Sequence, residues 1–321
     1  MSDLRGLSGV ITGGSRGLGL LLAKELGRRG CEVTVAARDR HELDEAEQLL
    51  RTTYGVQVHT AVCDVRDQAA VRALLAEVAA RSGSVDIVVG NAGTIQVGPV
   101  DPVGAEEFRE AMETMFFGAL YTSLEALPYL RRSWVGGRLA LIGSIGGLFA
   151  VPHLLPYSCA KSAIAALAEG LREEQNRHGV SVTAVHPGLM RTGSHLHARF
   201  AGDADREYAW FSSLAGLPLL SMDAERAAER IVQAIERRRP RLVLTPAARL
   251  GAKAHGLAPV LVTRMNSAVA RLLPAAAEGT PGGTVEGSAV AETGHAARTR
   301  LVALCSRLNT RAADRFNQHA A

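Results

Sequence analysis

Seven short β-rich runs recur along the first 245 residues, with helix-periodic segments between most of them: Gly9–Thr12, Glu32–Ala37, Val56–Val62, Val85–Val89, Gly137–Ile142, Val180–Val185 and Arg241–Leu244. This alternation leaves few solutions. Strands that feed helices and return in the same direction form a parallel sheet, which must be covered on both faces. The expected fold class is α/β, a doubly wound seven-stranded parallel sheet with a helical C-terminal extension. Residues 17–29 show the helix logic: Leu18, Leu21, Leu22 and Leu26 fall on one face, and Lys24, Glu25, Arg28 and Arg29 fall outside it. A low aromatic share, 4% against 47% hydrophobic, fits alanine, leucine and valine packed between helices and a sheet.

Between the first run and the first helix lies Thr12-Gly13-Gly14-Ser15-Arg16-Gly17-Leu18-Gly19. A glycine turn in that setting is a dinucleotide-binding signal. Glycine lets the backbone approach a pyrophosphate closely, and the helix start offers unpaired N–H groups and the positive end of its dipole. Further along, Tyr157 precedes Lys161 by one helical turn, on a helix expected from about Pro156 to Arg177, and Ser144 lies thirteen residues upstream. A phenol ordinarily titrates near pH ~10, so it exchanges protons near neutrality only with help from its surroundings, such as a nearby cation.

With these motifs in place, the sequence resembles the short-chain dehydrogenase/reductases of the shorter, single-domain kind, over roughly residues 5–245. The resemblance rests on the glycine turn, Asp64, Asn91-Ala92-Gly93, Ser144, Tyr157, Lys161, and Pro187-Gly188 with Thr192, each after a successive strand. It implies a Rossmann-type fold and a reaction interconverting a carbonyl and an alcohol. Tyr157 would be the acid or base, Lys161 would lower its pKa and hold the nicotinamide ribose, and Ser144 would hydrogen-bond the substrate oxygen. The cofactor would contact Gly13, Ser15, Arg16, Gly17, Leu18, Gly19 and Arg38, then Asp64 and Val65 at the adenine. Asn91, Ala92 and Gly93 would support the adenosine side; Pro187, Gly188 and Thr192 would line the nicotinamide end, beside Tyr157 and Lys161. One position departs from the family pattern: Met115 stands where an asparagine is usual, and a thioether is a weak polar partner.

NADP(H) is the expected cofactor. An NAD-preferring site wants a carboxylate at the end of the second strand; Ala37 stands there, with Arg38 next and Arg16 in the glycine turn. Guanidinium groups suit a 2′-phosphate. The sequence points to no metal, because His195 and His197 have no acidic or cysteine companions at ligand spacing. Nucleic acid is not an expected partner either: the net charge of +4 is spread among acids rather than gathered in a stripe.

The chain divides into a dinucleotide-binding catalytic domain at 1–245, a helical extension at 246–274, and a flexible connector with a terminal helix at 275–321. The terminal helix, expected over 300–317, carries Leu301, Leu304 and Leu308 on one face. The stripe Leu261, Met265, Ala268, Val269, Leu272 and Leu273 either docks on its own domain or a subunit partner, making a homo-oligomer, or makes peripheral membrane contact. Phe149, Val151, His153, Leu154 and Leu155 are expected to wall a substrate pocket. The aromatics after the sixth strand, Phe200, Tyr208, Trp210 and Phe211 among them, either line that pocket or pack a lid onto the sheet. Four scattered cysteines suggest reduced thiols and a cytoplasmic location, and the first strand leaves no room for an apolar leader. The competing reading is an NADP(H)-binding regulator or sensor with little turnover.

Overall fold

The structure, a computed structural model, describes residues 4–218, 220–276, 283–293 and 299–318, without the side chains of 300, 301 and 303–305. Chain order gives β1 (Ser8–Thr12), α1 (Gly17–Arg28), β2 (Glu32–Ala37), α2 (Arg40–Tyr54), β3 (Val58–Val62), α3 (Gln68–Ser82) and β4 (Ile87–Gly90). Then come α4 (Ala105–Ala111), α5 (Gly118–Leu130), β5 (Arg138–Ile142), α6 (Leu155–Gln175) and β6 (Ser181–His186). After these follow α7 (Ala204–Gly216), α8 (Ala224–Glu236), β7 (Arg241–Val243), α9 (Pro246–Leu257), α10 (Pro259–Ala270), α11 (Gly287–Thr293) and α12 (Arg300–Arg315).

The seven strands form one parallel sheet in the order β7-β6-β5-β4-β1-β2-β3. Every residue of β1, β4 and β5 is buried, which explains why these runs are apolar without alternation. One face packs Leu20, Leu21, Leu22 and Leu26 of α1 with Leu43 and Leu50 of α2 and Ile231 and Ile235 of α8. The other packs α3, α5 and α6 through Val71, Leu75, Leu130, Ile164 and Ala168. The chain leaves β1 for β2 on one side and later returns to β4 on the other. That reversal opens a crevice at the strand ends, the place where ligands bind in open α/β sheets.

Strand limits fall within two residues of the sequence expectation. Differences appear after β7. The extension is two helices, broken where Ala258 meets Pro259, since proline cannot supply the N–H that continues a helix. Its stripe does not dock on its own domain: Leu261 is 58% exposed, Met265 60% and Leu272 86%. Within the segment expected to be a connector, Val285–Glu286 pairs antiparallel with Arg199–Phe200 and leads into α11. Gly287 makes that seat: its N–H donates to Ala198 O at 2.8 Å, and a Cβ there would meet His195 O at 2.0 Å. On α12, Leu308 is 39% exposed, whereas Asn309, Ala312 and Ala313 and the following Phe316 are buried. Leu301 and Leu304 have side chains outside the described residues.

Candidate active site

Four strand ends build the site. At the end of β1, Gly13 and Gly17 have φ of 63° and 55°, the left-handed region that glycine enters without strain. A side chain at Gly13 would meet the Ala92 backbone at 2.8 Å, and one at Gly19 would meet Gly13 O at 2.0 Å. Asn91, after β4, clips the two strand ends together: its Nδ2 donates to Thr12 O at 3.0 Å and Gly13 O at 2.9 Å. Its backbone N–H donates to Thr12 Oγ1 at 3.0 Å. Leu18 is buried in the first turn of α1, and Val65 is buried against Gly118.

After β5, Ser144 caps a short turn by accepting from the Gly146 N–H at 3.1 Å, leaving its own hydroxyl proton free for another acceptor. The same hydroxyl lies close enough to the Tyr157 phenol to influence it. Tyr157 and Lys161 occupy the first turns of α6, as expected, and Lys161 Nζ lies 5.7 Å from the Tyr157 ring centroid. Burial pushes the phenol above its ordinary value, with the Ser144 hydroxyl acting against the rise. The Lys161 ammonium donates to Ile142 O at 2.7 Å, and burial pulls its pKa down to about 8.

Met115 stands on the same side of Gly93 as Lys161. It sits in a π-helical turn, Met112–Phe117, between α4 and α5 and is fully buried. A Cβ on Gly93 would lie 3.6 Å from Met115 Sδ and 3.7 Å from Lys161 Nζ, so the thioether and the ammonium border the same space beside Gly93. The thioether is too weak a partner to offset the loss of water.

After β6, Pro187 O accepts from the Ile145 N–H at 2.8 Å and ties the β5 and β6 ends together. Gly188 lies beneath Thr245, whose Oγ1 a Cβ would meet at 2.7 Å. Thr192 is buried, and its Oγ1 accepts from the Ser194 N–H at 3.3 Å. His186, unremarked in the sequence, is buried with a pKa lowered to about 4 by burial and so is neutral at pH 7. Its Nδ1–H donates to Ser144 O at 3.3 Å, which fixes the tautomer and holds the Ser144 backbone.

Other partners were equally illegible in the sequence. Glu42, in the first turn of α2, accepts from Ser15 Oγ at 2.7 Å and ion-pairs with Arg16. Asp64 is gripped by Arg66, whose Nε and Nη2 lie 2.9 and 2.5 Å from Oδ2, and that pairing holds its carboxyl below the usual range. Arg38 is exposed, close enough to influence Arg16 and Asp64. An open, charged depression lined by Asp64, Arg66, Glu110 and Glu113 lies at this end, away from Tyr157.

The wall facing Tyr157 is apolar. Val151, Leu154 and Trp210 pack with it in a cluster that includes Phe200, Tyr208 and Phe211. Phe200 and Tyr208 meet edge to face at 5.4 Å, so these two aromatics pack the lid. The lid is latched by Glu207, fully buried, which bonds His153 Nδ1 at 2.7 Å and accepts from Trp210 Nε1 at 2.6 Å.

Comparison with known proteins agrees with this geometry. Residues 9–199 match the family model described as short chain dehydrogenase. Gluconate 5-dehydrogenase of Gluconobacter oxydans is 33% identical over 197 residues, covering 59% of this chain and 75% of that protein. A Mycobacterium tuberculosis protein named SadH is 32% identical over 277 residues, covering 86% of this chain and 96% of its own. The crystal structure of L-sorbose reductase from Gluconobacter frateurii, complexed with NADPH and L-sorbose, has the same fold. Its TM-score is 0.66 at 22% identity, covering 76% of this chain and 97% of that one. The chain therefore belongs to the short-chain dehydrogenase/reductase family, and it is an oxidoreductase of that family acting on small molecules with a nicotinamide cofactor. Among the described residues, no helix is long and apolar enough to cross a membrane.

Proposed function

We propose that the protein is an NADP(H)-dependent reductase or dehydrogenase that interconverts a carbonyl and an alcohol on an apolar substrate. The observation that carries this reading is the Ser144–Tyr157–Lys161 group, with Ser144 and Lys161 buried and Tyr157 half-buried against an apolar wall. The glycine cradle fits a dinucleotide: Gly13 and Gly17 take positive φ, and a side chain at Gly13 or Gly19 would collide with backbone. When bound, the cofactor supplies hydride chemistry. Tyr157 holds the exchangeable proton at Oη, and Ser144 Oγ offers a hydrogen bond to the same substrate oxygen. Lys161 stabilises negative charge on that phenol once its Nζ turns from Ile142 O. Water is excluded by the lid that Glu207 latches. A panel of ketones, aldehydes and alcohols followed by NADPH absorbance tests the reading; no turnover on the whole panel would favour the sensor.

Preference for NADP(H) over NAD(H) rests on Arg16 and Arg38, with Ala37 at the end of β2. Asp39 is committed to capping α2, where it accepts from the Glu42 N–H at 3.0 Å. Glu42 is the opposing feature, since its carboxylate occupies Arg16. Glu42→Gln removes one negative charge from the place proposed for the 2′-phosphate. It should tighten NADPH by about tenfold or more while leaving NADH nearly unchanged, a charge-assisted bond being worth about 1.5–3 kcal/mol. Titration calorimetry with both cofactors reads the difference, and equal tightening of the two would count against a 2′-phosphate site.

The exposed stripe on α9 and α10 carries Arg249, Lys253, Arg264 and Arg271, with no acid between Glu236 and Glu278. That pairing of exposed leucines with unopposed cations suits peripheral contact with an anionic bilayer by a cytoplasmic protein. The helices border the substrate-side loop: Asn266 Nδ2 donates to Ala150 O at 3.0 Å, and the Phe149 and His255 rings are 5.8 Å apart. The full chain should sediment with phosphatidylserine vesicles and release at high salt, because the attraction is screened. A salt-insensitive homo-oligomer with no vesicle binding would instead assign the stripe to a subunit partner.

A further inference from the structure

The segment that follows α12 lies on the glycine turn. Gly17 is the first residue of α1, and its backbone N–H, one of those a pyrophosphate would engage, donates instead to Phe316 O at 2.8 Å. Asn317 Nδ2 donates to Ser15 O at 3.0 Å and to Glu42 O at 3.2 Å. Gln318 closes the crevice further. Its Nε2 would be 2.5 Å from a Cβ on Gly17, and Thr192 Cβ flanks the same point at 3.9 Å. On the far wall, Gly193 N–H donates to Asn309 Oδ1 at 2.9 Å, and His197 Nε2 donates to Gln318 O at 2.9 Å.

We propose that the dinucleotide crevice is also a binding site for this chain's own C-terminal segment, residues 309–318, and that segment and cofactor compete for it. The inference rests on the cofactor site proposed above. Both ligands need the same groups: the N–H at the start of α1, the floor at Ser15, and the gap between Gly17 and Thr192. The segment meets them with neutral amides and a carbonyl, whereas a dinucleotide brings phosphate charge to the same helix start. Its seat is incomplete, because Gln318 Oε1 is buried without a hydrogen-bond partner. An incomplete seat is displaceable. The side chain of Phe316 is held separately, in the core beside α1 and α8, so residues 317 and 318 can leave while the helix stays anchored. The protein in this state is closed to cofactor, and binding would lift the segment from the crevice.

Hydrogen exchange on the full chain, with and without saturating NADPH, tests the competition directly. Residues 316–318 should lose protection as cofactor binds. Calorimetry on Asn317→Ala with Gln318→Ala, and on Gln318→Ala alone, should show NADPH bound tighter than by the full chain, at least tenfold in the double variant. Thermal melting checks that both variants are folded. Unchanged protection of 316–318 while NADPH is bound would overturn the competition and leave the cofactor site intact, as would unchanged dissociation constants in folded variants. If neither the full chain nor either variant bound NADPH or NADH, the cofactor site itself would fall.

Discussion

Replacing Tyr157 with phenylalanine is expected to lower turnover by a factor on the order of 10²–10⁴. The substitution keeps the ring that packs with Val151, Leu154 and Trp210 and removes only the hydroxyl. Stability should therefore change little. Ser144 still accepts from the Gly146 N–H, so its backbone turn persists. Cofactor affinity should also be nearly intact, since the glycine cradle is held by Asn91 and the strand ends rather than by Tyr157. Steady-state rates on any substrate found in the panel, set beside a cofactor titration, separate the chemical step from binding. A variant retaining wild-type turnover would remove Tyr157 from the role of acid.

The parts of this site that the sequence made legible are those that depend on local geometry. Glycine positions with positive φ, the one-turn spacing of Tyr157 and Lys161, and residues placed at strand ends all follow from chain order in a doubly wound sheet. Pairings between distant segments do not. Glu42 occupies Arg16 because α2 begins beside the glycine turn, yet in the sequence it reads only as an acid in the first turn of a helix. Arg66 on Asp64 is two residues away, but nothing marks it as a partner rather than a solvated arginine. Phe316 and Asn317 reach the crevice from 300 residues along the chain, and no periodicity announces such a contact. The apolar stripe on α10 shows the same limit from the other side. Helical spacing of leucines reveals a face but not what covers it, and here the chain's own domain leaves it exposed.

Lys161 should show the largest opposition between stability and turnover. Its drop from 10.5 to about 8 means that burial disfavours the ammonium by about 3 kcal/mol, at ~1.4 kcal/mol per unit. The folded-state pKa lies below the unfolded one, so between pH 8 and 10.5 the unfolded chain holds more protons and stability rises with pH. Below about 8 both states are protonated and the full destabilisation is present. Lys161→Met, which replaces the ammonium with an apolar chain of similar length, should therefore raise the melting temperature at pH 7 and flatten its rise above pH 8. Turnover should fall by a factor on the order of 10²–10³, because the stabiliser of the phenolate is gone. Wild-type activity should decline above pH 8 as the lysine loses its proton. Met115→Asn supplies a polar partner near Nζ, in place of the thioether, and should carry that decline to higher pH. Thermal melts and rate profiles over pH 6–10 on the three proteins check these signs together. A Lys161→Met protein less stable at pH 7 than wild type would show that the bond to Ile142 O outweighs the burial of the charge.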